Sequence, residues 1–127
     1  MVDPAEKREY DAAMGVFRKA DFMTAQNSFN GFLQRYPNTA YLPSVLFWLG
    51  NAQYANKDYA GAVVNFKRLL NLVPKHVRAS EATLAIANCQ LELKDTKMAR
   101  KTMEELVKTY PDSEAAQAAK ERLAKMK

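Results

Sequence analysis

The sequence Phe47-Trp48-Leu49-Gly50-Asn51-Ala52-Gln53-Tyr54, with Asp58-Tyr59-Ala60-Gly61-Ala62-Val63-Val64-Asn65-Phe66 shortly after it, decides the fold. Its apolar residues have the spacing of two amphipathic helices joined by a short polar turn, and Pro74 ends the unit. The pattern recurs every 37 residues at five sets of positions: Ala25, Ala62 and Ala99; Phe29, Phe66 and Met103; Pro37, Pro74 and Pro111; Asp21, Asp58 and Asp95; Phe17, Tyr54 and Leu91. Such a recurrence is typical of stacked helical repeats, so we predict an all-α fold that winds into a right-handed superhelix.

The repeat also predicts where each element begins and ends. We expect one domain over residues 1–127, with helix-turn-helix repeats at about 4–37, 38–74 and 75–111 and a capping helix at 112–127. The recurring aspartates should cap the second helix of each pair, because their side chains can accept hydrogen bonds from the free amides of a helix start. By the same register, Thr39, His76 and Ser113 should begin the third, fifth and seventh helices.

The set formed by Leu49-Gly50, Tyr54, Ala62, Phe66 and Pro74 resembles the tetratricopeptide (TPR) consensus. The usual TPR period is about 34 residues, so each unit of this chain is three residues longer. The additional residues lie between Pro37 and Gly50, and we expect them to lengthen each first helix by almost one turn.

A narrower resemblance rests on the segments 36–43, 48–50 and 109–123, which read Tyr-Pro-Asn-Thr-Ala-Tyr-Leu-Pro, Trp-Leu-Gly and a tail that begins Thr-Tyr-Pro-Asp-Ser-Glu. These segments resemble the C-terminal TPR domain of the YbgF/CpoB family over about residues 10–125. Residues 73–76, Val-Pro-Lys-His, depart from that family, which more often has Tyr-Pro followed by a small residue.

The resemblance implies a periplasmic protein of the Tol–Pal system that binds TolA. Its role would be to coordinate outer-membrane constriction with the peptidoglycan-synthesis machinery in cell division. It also implies an upstream signal sequence, which this chain lacks, and an upstream coiled coil that makes the full-length protein a homotrimer. The chain alone would then be a monomeric fragment.

Composition and charge argue against several other classes of protein. The net charge is +5, but Lys and Arg alternate with Asp and Glu and are not interleaved with aromatic residues, which indicates a solvated surface more than a nucleic-acid site. No apolar run has the length of a membrane span. Cys89 is the single cysteine and has the register of a small packed residue. His76 is the single histidine, no glycine-rich loop occurs, and the carboxylates are dispersed, so we predict no enzyme, no metal and no cofactor.

In TPR proteins the inner side of each first helix binds a peptide, so the resemblance implies a protein-binding groove. Its residues would be Tyr10, Met14, Phe17, Phe47, Asn51, Tyr54, Leu84, Asn88 and Leu91. The two asparagines can donate to and accept from a peptide backbone, although a plain surface position explains them too, and core packing explains the apolar members equally well. A carboxylate clamp of the chaperone-binding TPR type is not expected, because Phe47 and Leu84 occupy the positions of its lysines.

Two alternatives remain open at this point. The first is another bacterial envelope TPR scaffold, of the type that takes part in outer-membrane barrel assembly. Three repeats followed at once by a capping helix argue against it, since that type continues with more repeats. The second is nucleic-acid binding through a basic outer face.

Overall fold

The computed structural model describes residues 2–126, and within that range every regular element is an α-helix. The helices are α1 (Pro4–Arg18), α2 (Phe22–Arg35), α3 (Leu42–Ala55), α4 (Tyr59–Leu72), α5 (Ala79–Glu92), α6 (Thr96–Thr109) and α7 (Glu114–Lys125). This order confirms the predicted all-α helix-turn-helix architecture. The superhelix and the number of repeats stay predictions.

The turn inside each helix pair has the same backbone geometry at 37-residue intervals. Ala20, Lys57 and Lys94 adopt positive φ angles of 63°, 66° and 66°. The next amide in each case donates to the carbonyl oxygen five residues earlier, as in the bond from Asp58 to Gln53 at 2.8 Å. This is a Schellman helix end. The recurring aspartate then caps the following helix, as predicted: the carboxylate of Asp58 accepts from the amide of Gly61 at 3.0 Å.

The connections between pairs differ from the prediction. Helices α3 and α5 begin at Leu42 and Ala79, three residues after Thr39 and His76. Residues 36–42 and 73–79 instead form two successive turns, in which the amides of positions 39 and 42, and of 76 and 79, bond to carbonyls three residues back. The predicted lengthening of the first helices is therefore wrong, because the three additional residues are in the turn.

Local side-chain bonds explain why these helices begin late. The hydroxyl of Thr39 accepts from the amide of Tyr41 and donates to the Glu6 carboxylate, and Nδ1 of His76 accepts from the amide of Arg78. Each side chain thus satisfies an amide two residues on and holds a turn. Ser113 accepts from the amide three residues on, at Ala116, and α7 begins directly after it, as predicted.

The chain folds as two compact units, residues 2–65 and 66–126 in the described range. In the first unit the core consists of Ala13, Met14, Ala25, Phe29, Phe32, Val45, Leu49 and Ala52. Aromatic side chains surround it, and Tyr10 stacks on Tyr41 with ring centroids 4.2 Å apart. A buried polar link joins α3 to α4, since the Asn65 amide donates to Gln53 Oε1 at 2.8 Å.

The second unit has a core of smaller side chains, namely Ala87, Ala99, Met103, Leu106, Ala115, Ala116 and Ala119. The last three come from α7, which confirms that the apolar face of this helix packs on the preceding pair. A polar link in the same register as that of the first unit joins α5 to α6, because the Thr102 hydroxyl donates to Gln90 Oε1 at 2.6 Å.

Candidate protein-binding surface

Among the sequence-predicted groove residues of the first unit, two belong to the core. Met14 and Phe47 are only 7% and 4% exposed. Tyr10, Phe17, Asn51 and Tyr54 are half-buried, so part of each side chain reaches the surface. The first helices of this unit therefore present aromatic and amide groups at the surface, while Met14 and Phe47 are buried.

The two aromatic candidates on α1 are held in place by neighbouring rings. The Tyr10 hydroxyl shares a hydrogen bond with Ser44 Oγ, in addition to its stacking on Tyr41. Phe17 contacts Phe22 edge-on and lies against Trp48, with centroid distances of 5.2 Å in both cases. These contacts fix the rings before any partner arrives, which lowers the entropy lost on binding.

Asn51 and Asn88 occupy equivalent positions but differ in their bonding. Asn51 Nδ2 donates to the Phe47 carbonyl oxygen one turn back, at 2.9 Å. Asn88 is half-buried, and its side-chain amide makes no hydrogen bond to any residue between 2 and 126. The Asn88 side chain thus keeps its full capacity to donate and accept.

Asn88 lines a cleft in the second unit, which has a volume of about 330 Å³. Its walls come from three helices: Leu84 and Asn88 from α5, Met103 from α6, and Ala118, Glu121, Arg122 and Lys125 from α7. The structure thus brings together two of the sequence-predicted residues, while Leu91, also predicted, packs against the core of this unit.

Sequence reasoning missed the contribution of α7 to this cleft. Its lining residues, at positions 118, 121, 122 and 125, fall three and four residues apart and therefore share a helix face. That spacing was readable in the sequence. The sequence did not show that this face lines a cleft, because the cleft forms only where α7 packs against α5 and α6.

A smaller cavity of about 170 Å³ lies between α1 and α2 in the first unit. Arg35 and Glu9 line it and form an ion pair at 2.7 Å. None of the sequence-predicted groove residues lines it.

Three features of the described residues bear on metal binding, membrane insertion and cysteine reactivity. No group of three or more metal-ligating side chains occurs within residues 2–126, and no helix in that range is apolar over enough length to cross a bilayer. Cys89 is fully buried, and burial, with a smaller effect of Glu92, raises the pKa of its thiol to about 11. At neutral pH it therefore stays protonated and unreactive.

The chain matches a known protein family over almost its whole length. The model of the family YfiO, described as an outer membrane lipoprotein, matches residues 3–127. The chain belongs to the YfiO family. It is also 44% identical over 57 residues to the cell division coordinator CpoB of Pseudomonas putida, a match that covers 44% of this chain and 21% of that protein. The chain thus matches only about a fifth of the length of this curated relative.

Solved structures show the same fold at low sequence identity. The TPR domain of Arabidopsis OM64 superposes with a TM-score of 0.77 over 95% of each chain, at 14% identity. The first TPR domain of Spaghetti (RPAP3), bound to an HSP90 peptide, gives 0.75 over 98% of this chain and 94% of that one, also at 14% identity. These comparisons confirm the prediction of an all-α, TPR-like domain of the CpoB type.

Proposed function

We propose that this chain is a non-enzymatic interaction module that docks a segment of a partner protein against the surface side of its first helices. The observation that carries the proposal is that Leu84 and Asn88, both predicted from sequence, line one cleft in which the Asn88 amide keeps its hydrogen-bonding capacity. A cleft that joins apolar side chains to a few polar groups is the usual form of a recognition site.

In the first unit the proposed contact residues are Tyr10, Phe17, Asn51 and Tyr54. In the second they are Leu84, Asn88 and Leu91. Met14 and Phe47 are left out of the first set, since both are buried. The TPR-like fold supports a protein partner, because a solved TPR domain of this shape holds a peptide.

The match to CpoB supports a role in coordinating cell division in the periplasm. We take TolA as the partner, with the peptidoglycan-synthesis machinery as the process that this contact would link to outer-membrane constriction. The full-length protein would be a homotrimer through an upstream coiled coil, and this domain alone a monomer.

A second candidate function is that of another envelope scaffold, of the outer-membrane barrel assembly type. The family description, outer membrane lipoprotein, favours it, and the family match extends over residues 3–127. Both candidates use the domain to bind a protein, and they differ in the partner.

Calorimetric titration with TolA tests the first candidate. Asn88→Ala should raise the dissociation constant about two- to tenfold, because one hydrogen bond to the partner is worth roughly 0.5–1.5 kcal/mol. Asn51→Ala should have a similar or smaller effect, since its amide already bonds to Phe47. Lys101→Ala, an exposed position on α6 outside the cleft, serves as the control.

Two results would contradict this assignment. A loss of affinity in Lys101→Ala together with unchanged affinity in both asparagine variants would place the contact on the outer face. An absence of binding to TolA, with intact binding to a barrel-assembly component, would favour the second candidate.

A further inference from the structure

The cleft of the second unit combines an apolar floor with a charged rim. The floor, by which we mean the apolar part of the lining, consists of Leu84, Met103 and Ala118. Arg122 and Lys125 lie three residues apart on α7, on the face that Ala118 shares, and neither makes an ion pair with any residue between 2 and 126. Glu121 is the one acidic group in the lining.

The surrounding charge has the same sign as this pair of cations. Residues 66–127 contain 13 Lys and Arg against eight Asp and Glu, which gives a net charge of +5, whereas residues 1–65 contain six of each and are neutral. The whole net charge of the chain therefore belongs to the unit that contains the cleft. A cleft lined by uncompensated cations in a positive field attracts anionic groups.

Size and composition indicate which anion fits. A volume of about 330 Å³ is at the lower end of the range for binding sites, and it suits one or two side chains of a peptide. The lining contains no aromatic residue on which a base could stack, and two cations do not make a track for a phosphate backbone. An acidic side chain beside an apolar one matches both the rim and the floor.

We propose that this cleft selects an acidic peptide segment. A carboxylate of the segment pairs with Arg122 and Lys125, a neighbouring apolar side chain contacts Leu84 and Met103, and the Asn88 amide bonds to the peptide backbone. Both cations are therefore on α7. In a carboxylate clamp of the chaperone-binding TPR type, the lysines would instead be on the first helices. This inference rests on the proposed function, because it names the chemistry of the segment that the module docks.

The test uses NMR titration of the intact chain with three short blocked peptides of identical length. One carries two glutamates flanked by leucines, and the others replace the glutamates with glutamine or with lysine. The acidic peptide should shift the Asn88 side-chain amide and the backbone amides of α7. The glutamine peptide should bind about tenfold more weakly, since two surface ion pairs are lost.

Matched variants assign the effect to the cleft. Arg122→Gln with Lys125→Gln should weaken the acidic peptide about tenfold, whereas Lys108→Gln with Lys120→Gln, which removes the same charge outside the cleft, should change its affinity less than about twofold. Glu121→Gln should tighten binding about twofold, because it removes the acidic group that repels the peptide. The reversal of both cations to Glu should transfer binding to the lysine peptide, which also shows that the variant is folded.

Several outcomes would overturn the proposal. One is an affinity for the glutamine peptide equal to that for the acidic peptide. Another is an equal loss of affinity in the two double variants. A third is that no NMR signal of a cleft residue shifts up to millimolar peptide. So would a short DNA duplex that competes at the same residues, or self-association in ultracentrifugation that the cleft variants abolish.

If Asn88→Ala weakens TolA binding and the loss of both cations does not, this inference fails and the proposed function stands. If the acidic peptide binds in the cleft and TolA does not bind, the TolA assignment fails instead.

Discussion

The two units share the 37-residue register but differ in aromatic content and in net charge. Residues 1–65 contain 11 of the 13 aromatic residues and have no net charge, while residues 66–127 contain two aromatics and the full charge of +5. The first unit fills its interior and half-buried surface with rings. The second packs alanines and Met103, and it has a cleft with a cationic rim. A repeat thus fixes where helices lie, and leaves each unit free to specialise in packing or in recognition.

One pair of equivalent positions shows the difference directly. Phe47, on α3, is only 4% exposed and is therefore buried. Leu84, 37 residues later, is half-buried and lines the cleft of the second. The same register therefore supplies a core residue in one unit and a candidate contact residue in the other.

Removal of residues 112–127 should have the largest effect and should be confined to the second unit. Without α7, the faces covered by Ala115, Ala116 and Ala119 would meet water. The backbone amides of α5 and α6, whose core residues pack against α7, should then lose protection from hydrogen exchange. The fluorescence of Trp48, the single tryptophan, reports on the first unit and should change little. Continued protection of the amides of α5 and α6 would show that α7 is not needed to hold this core.

Phe47→Ala and Leu84→Ala should separate packing from recognition. Phe47→Ala should lower the free energy of unfolding by about 3–5 kcal/mol, because it empties a buried site. Leu84→Ala should lower it by only about 1–2 kcal/mol, since part of the side chain is already in water, but it should weaken peptide binding. Urea denaturation and titration of both variants check this. Equal losses of stability would mean that the two positions are equivalent after all.

Ala62→Leu tests the close helix contact that the repeat predicts. Ala62 is fully buried, so a larger side chain should overpack the site and lower stability by roughly 1–3 kcal/mol. Ala60→Leu, an exposed position on the same helix, should stay within about 0.5 kcal/mol of the native chain. Thermal unfolding compares the two. A stable Ala62→Leu variant would place the helix contact elsewhere.

Lys57→Gly should give the smallest effect and the opposite sign. Lys57 has a φ of 66°, where a β-carbon is unfavourable, so glycine should raise stability by up to about 1 kcal/mol. The control is Lys67→Gly, at an exposed position inside α4, which should lower stability by about 1 kcal/mol. If both variants are destabilised, the left-handed turn is not strained by its lysine.

Much of the helical framework was predictable because its causes are local. The recurring aspartates precede α2, α4 and α6 as predicted, and each carboxylate accepts from an amide of the helix start. The starts of α3 and α5 were wrong for an equally local reason: Thr39 and His76 bond to amides two residues on and stabilise a turn instead of a helix. A residue type that favours a helix start also favours a turn, and its sequence position alone does not separate the two.

The side-chain hydrogen bonds inside the helix pairs could also have been predicted from the 37-residue period. Gln53 and Gln90 share a register, as do their partners Asn65 and Thr102. Polar residues at equivalent positions on facing helices indicate a buried hydrogen bond when both recur with the period. Gly61 belongs to the same arrangement, because a β-carbon there would lie 2.4 Å from Asp58 and 2.7 Å from Gln53.

The sequence by itself determined the all-α class, the 37-residue unit, the second helix of each pair and the capping role of α7, since periodicity and capping act within a few residues of the chain. Only the tertiary structure decided that Met14 and Phe47 are buried, that Leu84 and Asn88 line a cleft, and that Arg122 and Lys125 share it. Periodicity identifies an apolar face but not the depth to which a neighbouring helix covers it. That depth depends on contacts between residues far apart in sequence, and these separate the core from the surface that a partner can reach.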